Sequence, residues 1–171
     1  MPSGIVHDRI TWITALAAVP AWWQLSASHD PAPFILTTGA YLFSGLWLSD
    51  DLDTKSVAYR RWGPLRVLWL PYQKLVPHRS WISHGIGVGP LLRVVYFALA
   101  AGVALTLVFR LLAHEGIPVR RYDLTDSILS HGTAWTLTHP STSVWLLLGL
   151  VLGGVTHSLA DMVVSGIKRI W

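Results

Sequence analysis

His157-x-x-x-Asp161 sets an imidazole and a carboxylate four residues apart. On a helix that spacing puts both on one face, a turn apart, where one cation could take them together. A hydrogen bond to a neighbouring helix is the plainer use of the same pair. Asp51-Leu52-Asp53 offers two more carboxylates. In an extended segment, residues two apart share a face, so both could reach one ion; a solvated acidic loop is the alternative. His78 and His84 are six apart, which no single straight helix aligns, so His78 must sit in a loop if both serve one site. His7 and Asp8 stand near the start of the chain, and Asp50 and Arg79 adjoin the acidic and histidine groups.

Imidazoles and carboxylates without sulfur suit Zn, Mn or Fe better than Cu(I), and the chain has no cysteine to offer a thiolate, a disulfide or a thiol nucleophile. His7, His78, His84 and His157 with Asp51, Asp53 and Asp161 exceed the four ligands of a structural zinc. The surplus fits two ions, or one ion with a supporting layer. Paired ions of this type clamp an attacking water and a leaving oxygen. In such a site Asp50 or Asp161 would accept a proton, and the Arg79 guanidinium would hold an anionic group such as phosphate or a lipid headgroup. Ser80 and Ser83 read as capping or supporting residues, with Ser83 a fair N-cap for the span that follows. Neither a G-x-S-x-G elbow, an H-E-x-x-H pair nor a glycine-rich phosphate loop is present.

These residues need elements that gather them. Hydrophobic residues make up 52% of the 171 and charged residues 13%, against about 25% charged in a typical soluble domain. Mean hydropathy is +0.46 and ten residues are tryptophan, a residue that favours membrane–water interfaces. A membrane span needs about 20 apolar residues. Four stretches approach this, at about 10–28, 34–49, 84–113 and 143–167. The expected architecture is all-α, a single domain over residues 1–171 made of a four-transmembrane-helix bundle. Residues 50–83 form a polar, aromatic stretch lying along the interface or packed as a loop. Residues 114–142 form a second loop with at most one short helix. Ser26-Ala27-Ser28 resembles a cleavage triplet, but Asp8 offsets Arg9 ahead of the apolar stretch, so a retained span is expected.

An up-down-up-down path brings His7, the Asp50–Asp53 run, His78, Arg79, His84, His157 and Asp161 to one membrane face. His29, His114, His131 and His139 fall on the other face as surface residues. Ten Lys and Arg flank the first face and Arg110, Arg120 and Arg121 the second, which places both termini in the cytoplasm. The net charge of +4 and pI of about 9.8 are accounted for by these flanks. No nucleic-acid motif accompanies them, and no nucleic-acid partner is expected.

The ordered set His7-Asp8-x-x-Thr11, Ser49-Asp50-Asp51-Leu52-Asp53, Arg61-Trp62-Gly63-Pro64-Leu65, Pro71-Tyr72, His78-Arg79-Ser80-x-x-Ser83-His84 and His157-x-x-x-Asp161 resembles a family of uncharacterised metal-binding membrane proteins of bacteria, common in cyanobacteria. It is similar to YdjM-type inner-membrane metal-dependent hydrolases. The resemblance covers almost the whole chain. It implies a metal site at His7, Asp51, Asp53, His78, His84, His157 and Asp161, in a bacterial inner or thylakoid membrane. The family pattern has proline before the Asp-x-Asp pair where this chain has Asp50. The wider group is similar to helical zinc-dependent phospholipase C and nuclease folds, which implies phosphoester hydrolysis.

The expected function is therefore a metal-dependent hydrolase at the cytoplasmic membrane face, with membrane lipid as surroundings or substrate. A non-catalytic protein whose metal staples the helix ends, serving a membrane-protein partner, is the alternative. A metal carrier is a third reading, disfavoured by the lack of polar residues midway along the first two stretches.

Overall fold

The computed structural model describes residues 4–25, 31–78, 80–116 and 121–170. Among the described residues the chain is helical, without strands. The long helices are α1 (Gly4–Leu25), α2 (Pro31–Trp47), α6 (Val88–His114), α7 (Arg121–Thr138) and α8 (Pro140–Ile170). The short ones, α3 (Val57–Arg61), α4 (Leu70–Leu75) and α5 (Trp81–His84), lie between α2 and α6 with two 3-10 segments, Asp50–Asp53 and Gly63–Trp69.

Two of the four stretches, α6 and α8, are long and apolar enough to cross a membrane. The expectation of four such spans is corrected here. Helix α2 has only 17 residues, and α1 opens on His7, Asp8 and Arg9 and carries Pro20, so neither offers enough uninterrupted apolar length. The region 114–142 also departs from expectation: it holds α7, at 18 residues, and not a loop with one short helix. The triplet Ser26-Ala27-Ser28 and His29 lie outside the described residues.

Close helix contacts come from glycines. A Cβ on Gly149 would meet the Thr37 carbonyl oxygen at 2.4 Å, and one on Gly153 would meet that of Tyr41 at 2.4 Å. Gly149 and Gly153 form a G-x-x-x-G face, which lets α8 lie against α2 backbone to backbone. Four residues beyond Tyr41 on α2, a Cβ on Gly45 would strike the Thr11 side chain at 2.5 Å, which brings α1 in. The three helices are also tied by polar contacts: Tyr41 donates to Thr156 at 3.0 Å and its hydroxyl also pairs with Thr14.

The segment 50–83 is neither a bare loop nor only a surface lid. Leu52, Trp69 and Tyr72 are almost wholly buried and join Leu48, Ala58 and Tyr59 in the hydrophobic core. Trp69 packs against Trp62 and Tyr72 edge to face, at ring separations of 5.4 and 5.7 Å, an arrangement that suits the ring quadrupoles. Leu65, Val67 and Leu75 on the same segment are exposed. Helix capping differs from expectation as well. Ser80, not Ser83, caps a helix, accepting a bond from the Ser83 backbone N–H at 3.2 Å. Helix α6 starts four residues beyond His84, after Gly87, whose φ of 87° lies in the left-handed region that glycine tolerates.

Candidate metal centre

Helix α1 supplies His7 and helix α8 supplies His157 and Asp161, and all three are buried. One donor atom from each lies within 4.8 Å of the other two. His7 Nε2 is 3.1 Å from Asp161 Oδ1. The His7 and His157 rings stack at 3.7 Å, 14° from parallel. The four-residue spacing on α8 works as expected, because both side chains face α1. Arg61 holds His7 in place indirectly: it donates to Asp8, next to His7, and to the Leu46 carbonyl at 2.7 Å. Thr11 donates to the His7 carbonyl at 3.0 Å.

The donor set fits a divalent ion. Two ligands each about 2.1 Å from a tetrahedral ion stand about 3.4 Å apart, close to the His7–Asp161 separation. Stacked imidazoles would repel if both were protonated, and a cation ligated by both neutral rings avoids that repulsion. His7 Nδ1 is buried with no hydrogen-bond partner among the described residues. Two nitrogens and one carboxylate oxygen match the donors of catalytic zinc sites, which keep one position for water.

The acidic run sits beside this trio. His157 Nε2 is 3.7 Å from Asp51 Oδ2, and the Asp51 side chain is about one-fifth exposed, at 22%. Asp53 is turned to His78 instead, with Oδ2 3.0 Å from His78 Nδ1. Asp51 and Asp53 were expected to share a face in an extended segment, and the structure corrects this. Residues Asp50–Asp53 form a 3-10 helix, in which residues three apart eclipse and residues two apart diverge. The two carboxylates therefore serve different imidazoles, while Asp50 and Asp53 both turn inward and are buried. His78 lies in the turn between α4 and α5, a position compatible with sharing a site with His84.

Asp50 makes a separate set of contacts. It is fully buried, ion-paired with Arg93 of α6 and hydrogen-bonded by Ser158 of α8. The sequence reading missed the partnership of Arg93; an arginine within an otherwise apolar span was its only signal. Tyr72 packs nearby, and burial raises its phenol above the ordinary value while the Arg93 charge partly offsets this. His84 closes α5, and its side chain, like all of Arg79, lies outside the described set. His114, His131 and His139 are exposed, away from these groups.

No curated protein and no solved structure matches the chain. The family model described as uncharacterized metal-binding protein (DUF2227) matches residues 2–171. A buried site of two imidazoles and a carboxylate is what such a description asks of a sequence without cysteine, and the chain belongs to this metal-binding family.

Proposed function

We propose that the protein is a membrane-embedded, metal-dependent hydrolase of phosphoesters, anchored by α6 and α8. The observation that carries this reading is the buried His7, His157 and Asp161 trio, a three-ligand set. When bound there, a divalent ion such as Zn, or else Mn or Fe, would polarise water and bring its pKa to about 7.

The chain's own groups divide the remaining work. His7 and His157 would hold the ion through ring nitrogens, and Asp161 would supply negative charge. Asp161 Oδ1 faces His7, so Oδ2 is the atom placed to take a proton. Asp51 stands at the partly exposed rim, beside His157, where it would add a donor beside the position kept for water or reach a second ion. Asp53 and His78 would hold a second ion or orient substrate, with His84 joining them. Arg79, next to His78 in the chain, would stabilise charge developing on a phosphoryl oxygen.

The membrane assignment rests on α6 above all. Only 6% of its most apolar stretch is buried in the protein. A helix apolar on every side and left uncovered needs lipid around it. The arginine and lysine count supports a cytoplasmic face for the site and both termini. The exposed Leu65, Val67 and Leu75, with Arg66 and Lys74 among them, suit contact with an anionic lipid surface.

Detergent-purified protein loaded with Zn(II) or Mn(II) should hydrolyse a phosphodiester such as bis-p-nitrophenyl phosphate, and the His157→Ala variant should not. A metal-loaded protein with a fully coordinated ion and no turnover on a phosphodiester panel would remove the enzyme reading. It would favour the alternative, a metal that staples α1 to α8 in a subunit of a larger membrane complex. Burial of all three candidate ligands is the observation on that side.

A further inference from the structure

Three buried groups meet near the start of α6. Arg93 is fully buried, donates to the Ser83 carbonyl at 2.7 Å, and is ion-paired with Asp50. Asp50 accepts a second bond from Ser158. Two glycines make the chamber for the guanidinium. A Cβ on Gly89 would lie 3.3 Å from one terminal nitrogen of Arg93, and a Cβ on Gly154 would lie 3.3 Å from the other. The same added atoms would strike the Ser83 carbonyl oxygen at 2.5 Å and the Pro90 ring at 2.6 Å. An alanine at either position would close the space that the charge occupies.

Each group that Arg93 and Asp50 hold is one residue from a candidate metal ligand. Asp50 precedes Asp51, Ser158 follows His157, and Ser83 precedes His84. These come from three separate elements: the 3-10 segment, α8 and α5. An ion pair buried this fully carries a desolvation cost, and similar pairs in other proteins are often no more stabilising than apolar replacements. What such a pair supplies is a fixed geometry, because a guanidinium fork and a carboxylate meet in few orientations.

Building on the metal-site reading, we infer that Arg93, Asp50 and Ser158 form a positioning node that sets the mutual placement of Asp51, His84 and His157, and thereby the affinity and geometry of the metal site. Asp50 is then neither a ligand nor the proton acceptor. It is the carboxylate that neutralises Arg93 and locks the acidic 3-10 segment to α8. The three ligand-bearing elements are all indexed to one buried charge.

The test uses the full-length protein in detergent, with Zn(II) affinity by chelator competition and the Co(II) absorption spectrum as readouts. Ser158→Ala removes one bond and leaves the ion pair intact. Asp50→Leu/Arg93→Met removes both charges together, so neither is left buried alone. Both variants should melt, metal-free, near the wild-type temperature. Both should bind Zn(II) about 10–100-fold more weakly, as losses of ligand-supporting groups do, with altered Co(II) bands. His157→Ala is the reference for a lost ligand. If His157→Ala abolishes binding while Ser158→Ala and the double variant keep wild-type affinity and spectrum, the node is only structural and the inference fails, with the metal site intact. A double variant that does not fold leaves Ser158→Ala to decide on the same criterion. If the wild-type protein takes up neither ion, the metal reading itself falls, and this inference with it.

Discussion

Among the described residues, helices α6 and α8 are the two long and apolar enough to cross a membrane, and the fold packs them in opposite ways. Helix α8 lies in backbone contact with α2 through Gly149 and Gly153 and carries His157, Ser158 and Asp161 on its buried side. Helix α6 is buried only at Gly89, Pro90 and Arg93, in its first two turns. Its later glycine, Gly102, has no neighbour that a Cβ would touch. Similar hydropathy thus goes with a closely packed helix in one case and a largely uncovered one in the other. Apolar composition brings a helix out of water, but small residues at fixed spacing decide whether it is held closely by another helix. The candidate ligands His157 and Asp161 sit on the helix that is held.

That contrast can be broken most severely at Gly153. Gly153→Ala puts a Cβ 2.4 Å from the Tyr41 carbonyl oxygen. Backbone cannot yield there cheaply, so a loss of about 3 kcal/mol or more is expected, read as a collapsed melting temperature and loss of bound Zn(II). His157→Ala should come next. It should weaken metal binding by at least about 100-fold, or about 2.7 kcal/mol. Chelation should then lower the melting temperature of the wild type but not that of the variant, since only a protein that binds the ion is stabilised by it. An equal response to chelator in both proteins would detach His157 from the metal. Tyr41→Phe removes the bridge from α2 to Thr14 and Thr156. It should cost about 1 kcal/mol in thermal unfolding, with metal affinity nearly unchanged. Gly102→Ala should do least. In an open helical position alanine is preferred over glycine by up to about 1 kcal/mol. A variant that melts lower than wild type would show that α6 is packed where the structure leaves it open.

Much of the candidate site was legible before any fold was known. The spacing of His157 and Asp161 forces a shared face on any helix, and α8 delivers it. His78 falls in a turn, the position it would need to share a site with His84. The Asp51-Leu52-Asp53 reading failed because two-residue periodicity was assumed. A 3-10 segment has a three-residue repeat, and nothing in three acidic residues around one leucine distinguishes the two. Four spans were expected because hydropathy was judged over loose windows; α1 and α2 fall short once their charges, proline and length are set against α6 and α8. The glycine face of α8 was visible as Gly149-x-x-x-Gly153, yet its partner was not, since a G-x-x-x-G pattern names a contact surface and not what lies on it.

Local spacing and composition determined that the chain is helical, that no cysteine thiolate is on offer, and that imidazole and carboxylate are available ligands. Each of these follows from residues within a few positions of one another, where backbone geometry leaves few choices. Only the tertiary structure decided that His7 meets Asp161 across 154 positions, that Asp51 and Asp53 part company, and that Asp50 answers Arg93. Those outcomes depend on how closely helices approach and on where a buried charge finds its counter-ion, and neither is encoded in any short stretch of the chain.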